Sequence, residues 1–142
     1  MNDIVLNKKE SIERCIKQIR RYYALKSDVA FEEDHLKQDA IAVNLQRACE
    51  QAIDLANHTI RIRKLGLPRE SKESFRLLAE NSIIPQGLAD KLAKMIGFRN
   101  TLVHEYQKLD INLMIDVIEN HLNDLLDFAD YIVKEFTDSP AS

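Results

Sequence analysis

Apolar residues in this chain recur at spacings of three and four, the period that keeps side chains on one face of an α-helix. Ile4, Val5, Ile12, Cys15, Ile16, Ile19, Tyr22 and Tyr23 predict a first amphipathic helix of about six turns. Residues 27–34 are polar and acidic and read as a loop. A second stripe of Ile41, Leu45, Ala48, Cys49, Ala52, Leu55, Ala56 and Ile62 predicts a helix over 34–64, on the order of 40 Å long at 1.5 Å per residue. Gly66 is placed to end it and Pro68 to block its resumption. Ser71 can cap a short third helix through Asn81 that buries Phe75, Leu78 and Ala79. Pro85 suits the first turn of a fourth, with Leu88, Leu92, Met95, Ile96, Leu102 and Val103 as its stripe. Asp110 is a cap for a fifth, whose stripe is Leu113, Val117, Ile118, Leu122, Leu125, Phe128, Ile132 and Phe136. The pattern predicts an all-α fold: one up-and-down bundle over 1–136, of five helices or of four long ones with a short insert, then a polar, frayed tail over 137–142.

Bulk numbers agree with that picture. A chain of 142 residues, 45% hydrophobic and 30% charged, is one ordinary globular domain. Only three Gly and three Pro leave few helix breakers. No apolar run approaches the ~18 residues that a spanning helix needs, and the amino-terminal stretch is interrupted by charge, so a cytoplasmic protein with no membrane partner is expected. Cys15 and Cys49 both fall on apolar stripes and read as buried thiols. The net charge of −3 is not that of a typical nucleic-acid binder. Its distribution is uneven: Arg61, Arg63, Lys64, Arg69, Lys72 and Arg76 cluster together, whereas the carboxyl-terminal stretch is strongly acidic. Solvated helix faces would produce much the same pattern; a functional reading puts RNA on the basic side and a basic partner on the acidic one.

The candidate chemistry sits in Arg99-Asn100-Thr101-Leu102-Val103-His104-Glu105-Tyr106. Arginine is a permanent cation whose planar fork suits phosphate oxygens, and histidine exchanges protons near neutrality. Together they are a minimal set for cleaving a phosphodiester without a metal. His35, His58 and His121 have no second histidine or cysteine at ligand spacing, and Glu32, Glu33 and Asp34 read as solvated, so no zinc or dedicated magnesium site is expected. There is no Gly-rich phosphate loop. Arg99 lies within the apolar stripe of its helix, where an unpaired guanidinium would be costly. It therefore either meets a carboxylate inside the bundle or faces a cleft or a second subunit. His104, five residues on, is about 140° away on an ideal wheel. Either the helix ends near Val103 and turns His104 back, or a second copy of the helix completes the site. Asn100, one turn before His104, could orient its imidazole or hold a phosphate oxygen, and Tyr106 could line the rim.

The wording Arg-Asn-x-Leu-Val-His-x-Tyr resembles the Arg-x4-His-x-Tyr signature of the HEPN superfamily, and within it the HepT branch of small bacterial toxins. Residues 39–57 are similar to that branch's second helix, and Leu65-Gly66-Leu67-Pro68 with the stretch 74–79 to its central connection; roughly four fifths of the chain can be read this way. The resemblance implies a homodimer with a cleft between paired motif helices and a metal-independent endoribonuclease, the toxin of a type VII-like toxin–antitoxin pair. The ribose 2′-OH of a cellular RNA, tRNA or mRNA, would attack its own 3′-phosphate, which makes DNA no substrate. Arg99 and His104 would be the catalytic pair, Asn100 would position substrate, and no cofactor is called for. It also implies a partner, a minimal nucleotidyltransferase antitoxin that attaches adenylate to Tyr106. Two rivals remain at this point: a non-catalytic helical dimer that binds a nucleotide or presents substrate to such a partner, and a scaffold in which Arg99 and His104 are merely a salt bridge and a helix cap.

Overall fold

The longest helix is set at both ends by local hydrogen bonding. In this computed structural model, which describes residues 3–106 and 109–138, the chain forms α1 (Asp3–Ala24), α2 (His35–Arg63), α3 (Ser71–Glu80), α4 (Gln86–His104), α5 (Ile111–Asp116) and α6 (Leu122–Asp138). Five residues of π-helix, Val117–His121, join the last two. No strand occurs among the described residues. The Asp34 side chain accepts from the Lys37 N–H at 3.0 Å and caps α2. Just before it, the expected loop tightens into a 3₁₀ turn, Phe31–Glu33. The buried Gln38 holds that turn by donating to the Phe31 and Glu32 carbonyls.

Three predicted boundaries are corrected. Helix α2 is closed by Lys64 in the left-handed conformation, φ 56°, and not by Gly66. The Lys64 N–H donates to the Arg61 carbonyl and the Leu65 N–H to that of Ile60, a Schellman closure that satisfies two orphan carbonyls without a glycine. Ser71 is the first helical residue of α3 rather than its cap; the residue before the helix is Glu70, and Glu73 reaches back to accept the Arg69 N–H at 2.9 Å. Pro85 stands in the extended conformation just ahead of α4, outside its first turn. Asp110 caps α5 as predicted, accepting from the Asn112 and Leu113 N–H groups.

Helix α2 is the hub, in contact with α1, α3, α4 and α6. The core follows the predicted stripes with a few side chains turned outward, among them Ile4, Ile62, Val103 and Leu113. In α5 it is Met114, three and four residues before the buried Val117 and Ile118, that is fully buried, while Leu113 is 44% exposed. Phe75 of α3 and Phe128 of α6, both fully buried, meet edge to face with centroids 5.2 Å apart. Cys15 and Cys49 are buried free thiols, and burial pushes Cys49 up to about 12. Part of the uneven charge is paired between helices: Lys8 with Asp54, Lys9 with Asp130, and Arg63 with Glu135. Helix α6 continues to Asp138, and the rest of the expected tail lies outside the described residues. Among the described residues no helix is long and apolar enough to cross a membrane.

Removing a ring from the Phe75–Phe128 contact leaves a cavity between α3 and α6. Phe128→Ala should cost about 3–5 kcal/mol in urea unfolding. Against Phe75→Ala, a double-mutant cycle should return a coupling of about 0.5–1.5 kcal/mol beyond area burial.

Candidate functional site

Helix α4 turns Leu92, Met95, Ile96 and Leu102 into the bundle, and Arg99 falls on the edge of that face. Its side chain is 23% exposed. Of the two environments the sequence leaves open, the structure supplies a carboxylate, but a distant one. Arg99 Nη2 approaches Glu50 Oε1 of α2 at 3.4 Å, and Nη1 donates to Asn100 Oδ1 at 2.9 Å. Glu50 also accepts from Gln46 Nε2 at 3.2 Å. The Arg99 Nε is buried, and nothing described accepts from it. These two contacts, one of them long, use only part of a five-donor fork. The guanidinium is therefore anchored yet still rich in unspent donors.

Asn100 is exposed and its side-chain oxygen accepts from Arg99; among the described residues no hydrogen bond joins it to His104, and its amide NH₂ donates to none of them. His104 is the last residue of α4 and is exposed. The helix stays regular through it, since the Glu105 N–H still donates to the Thr101 carbonyl at 2.9 Å. That removes the geometry in which the chain turns His104 back toward Arg99. Within one chain the two side chains leave α4 about 140° apart.

Tyr106 lies just past α4, and its hydroxyl donates to Asp39 Oδ1 of α2. Burial, then the hydrogen bond to Asp39 and the Asp39 charge, raise the phenol well above its usual range. Asp39 and Glu50 were not singled out from the sequence. For Glu50 the signal was the requirement that a guanidinium in an apolar stripe find a carboxylate, and α2 offers several; for Asp39, which meets a phenol, the sequence carried none.

The other histidines go elsewhere. His121 in the π-turn lies between Asp116 and Asp124, at 3.1 and 3.3 Å. His58 is buried beside Phe136 with Arg61 at its Nδ1, and burial followed by the Arg61 charge holds it below the ordinary value. No three His, Cys, Asp or Glu side chains gather into a metal-ligand set among the described residues. The basic stretch forms one wall of an open groove of about 680 Å³, lined by Arg61, Lys64 and Arg69 together with Asn57, Ser71 and Ser74. Lys72, next along, reaches α4: a side chain built at Gly97 would meet its Nζ at 3.8 Å.

A helical bundle whose fourth helix ends in Arg-x4-His-x-Tyr has the form of a HEPN-class protein. The profile of the Ribonuclease HepT-like family matches residues 12–132, and the chain belongs to that family. It is 47% identical over 135 residues to the mRNA nuclease HepT of Shewanella oneidensis, covering 95% of this chain and all of that one. It is 29% identical over 112 residues to the tRNA nuclease HepT of Aphanizomenon flos-aquae, 77% and 74% of the two chains. Among solved structures, a tri-AMPylated HEPN toxin of Shewanella oneidensis in complex with its MNT antitoxin superposes with a TM-score of 0.88 at 47% identity, over 94% of this chain and 98% of that one.

Because Asp39 adds to burial in keeping the phenol of Tyr106 neutral, Asp39→Asn should move the Tyr106 ionisation part of the way back toward the ordinary value of about 10. Tyrosinate absorbance in an alkaline titration, compared with wild type, should show one tyrosine titrating earlier. Unchanged curves would mean that burial alone governs the phenol.

Proposed function

We propose that this HepT-like ribonuclease is the toxin of a type VII-like toxin–antitoxin pair, that it cleaves cellular RNA without a metal ion, and that adenylylation of Tyr106 by a nucleotidyltransferase partner silences it. The observation that carries the reading is the state of Arg99. A half-buried guanidinium with one distant carboxylate and unused donors is held ready for an anion, on a helix end that also carries Asn100 and His104, with Tyr106 just beyond it. In the reaction, the ribose 2′-OH attacks its own 3′-phosphate, releasing a 5′-OH and leaving a 2′,3′-cyclic phosphate. Arg99 binds the phosphate and offsets the charge that grows on its oxygens. The Asn100 amide donates to the same backbone. His104 takes or gives the proton, a role typically worth ~10²- to 10⁴-fold in rate. Cytoplasmic mRNA or tRNA is the substrate class, in keeping with the names of the Shewanella and Aphanizomenon relatives. Lys72 beside α4, and the cations along the groove beyond it, are suited to the flanking phosphates.

The active form in this reading is a homodimer. Arg99 and His104 diverge on α4, so one chain's arginine is completed by the other chain's histidine when two α4 ends face each other about a twofold axis. Exposed apolar side chains flank this region, Val103 beside His104 and Val43 one turn beyond Asp39, which suits a face covered by a second copy. Adenylate on Tyr106 then places a phosphodiester charge and a base where the RNA backbone enters, so repulsion and bulk exclude substrate together.

Purified protein should cut RNA in the presence of EDTA. Arg99→Ala and His104→Ala should each remove cleavage while leaving the helical circular dichroism signal intact. Arg99→Lys should rescue poorly, because a point charge lacks the planar fork. Wild-type cleavage by His104→Ala would falsify the mechanism. Light scattering should give a dimer at micromolar concentration, and a stable monomer would remove the shared site. Incubation with the cognate nucleotidyltransferase, ATP and magnesium should label Tyr106 and stop cleavage, while Tyr106→Phe should escape labelling. Adenylate found on Tyr22, Tyr23 or Tyr131 instead would overturn that part.

A further inference from the structure

The Tyr106 hydroxyl has a proton acceptor within its own chain. It donates to Oδ1 of Asp39, 67 positions earlier on α2. Tyr106 remains 37% exposed and Asp39 is exposed, so the pair lies where a partner can reach it. We propose that Asp39 is the general base for adenylyl transfer to Tyr106, so that the protein to be modified contributes a catalytic group to its own modification. The proposal rests on the reading of Tyr106 as the adenylylated residue.

The step balances without any oxidant or reductant. The phenolic oxygen forms a bond to the α-phosphorus of ATP as the bond from that phosphorus to the leaving oxygen of pyrophosphate breaks. Pyrophosphate departs with the electron pair, the phenol proton passes to Asp39 Oδ1, and Asp39 later releases it to water. The product is a tyrosyl adenylate phosphodiester.

The resting geometry calls for such a base. Burial and the neighbouring carboxylate both disfavour phenolate, so a pre-ionised nucleophile is scarce near neutrality. Attack must then proceed from the neutral phenol, whose proton becomes strongly acidic only as the new P–O bond forms. At that moment the carboxylate that suppressed ionisation is the group in contact with the proton. Among the described residues, the titratable neighbours closest in sequence are His104 and Glu105, which precede Tyr106, and His35 and Lys37, which precede Asp39 on α2. Asp39 is the one that accepts the phenol hydrogen bond. A purely structural pin would not need to be a carboxylate, since an amide oxygen accepts the same hydrogen bond.

That distinction supplies the test. Full-length wild type, Asp39→Asn and Asp39→Glu are incubated with saturating cognate nucleotidyltransferase, ATP and magnesium, and the adenylate on Tyr106 is followed by mass spectrometry from pH 6 to 9. Asp39→Asn keeps an acceptor but cannot take the proton, so its rate should fall about 10²-fold at neutral pH and, relative to wild type, rise by up to about tenfold per pH unit as hydroxide replaces the lost base. Asp39→Glu restores a carboxylate and should recover part of the rate. Asp39→Asn modified at the wild-type rate would overturn the proposal. So would a slowed variant whose rate relative to wild type is constant with pH, because that is the mark of a positioning role. Failure of wild type to be modified on Tyr106 would instead remove the underlying reading, and this step with it, an outcome seen in the wild-type arm alone.

Discussion

A cation placed in the apolar face of a helix is the constraint around which this site is arranged. Arg99 cannot be deprotonated away, and it cannot leave α4 without taking Leu102 and Ile96 with it. Leaving such a charge half-buried is costly unless it is paired. The fold meets that cost only in part, through Glu50 at 3.4 Å and Asn100 at 2.9 Å, with Nε unmatched. An ion pair of ideal geometry would make a more stable bundle and a poorer anion site. The incomplete pairing is consistent with a position kept for an anionic ligand.

Helix α2 turns this local compromise into a site. It touches α1, α3, α4 and α6, so its backbone is fixed from several sides. From that frame Glu50 reaches Arg99 and Asp39 reaches Tyr106, three turns apart on the same helix. Both carboxylates act on the end of α4, where the chain leaves regular structure. The two ends of the Arg-x4-His-x-Tyr motif are thus set from one rigid element, which suits chemistry that tolerates little displacement.

Much of this was legible in the sequence, because amphipathic helices announce themselves by period and the apolar stripes are nearly continuous. The all-helical bundle, the cap at Asp110 and the buried cysteines follow from residue type and spacing alone. The stops were harder. Lys64 and Ser82 take left-handed conformations with no glycine to signal them, since the hydrogen bonds of the closing turn stabilise what their side chains disfavour. The family was legible in eight residues. Asp39 and Glu50 were not, because a helix wheel places a carboxylate on a face but does not say which distant side chain it will meet. The wheel did expose the 140° divergence of Arg99 and His104, and α4 remaining helical through His104 leaves that divergence in place within one chain.

The wide turn at Val117–His121 has a further consequence, for chain length. A π-turn amounts to one residue added to a helix whose two ends are already held. Upstream, Asp110 fixes the start of α5; downstream, Leu122, Leu125 and Phe128 fix α6 in the core. The surplus residue is absorbed between them, with His121 spanning Asp116 and Asp124 across the turn. A relative one residue shorter here could keep both ends of the helix in place by winding the segment as ordinary α-helix, with neither face rotated. In a sequence alignment that would appear as a gap inside a helix, and it would mark an equivalent fold with the position of Met114 still in the core.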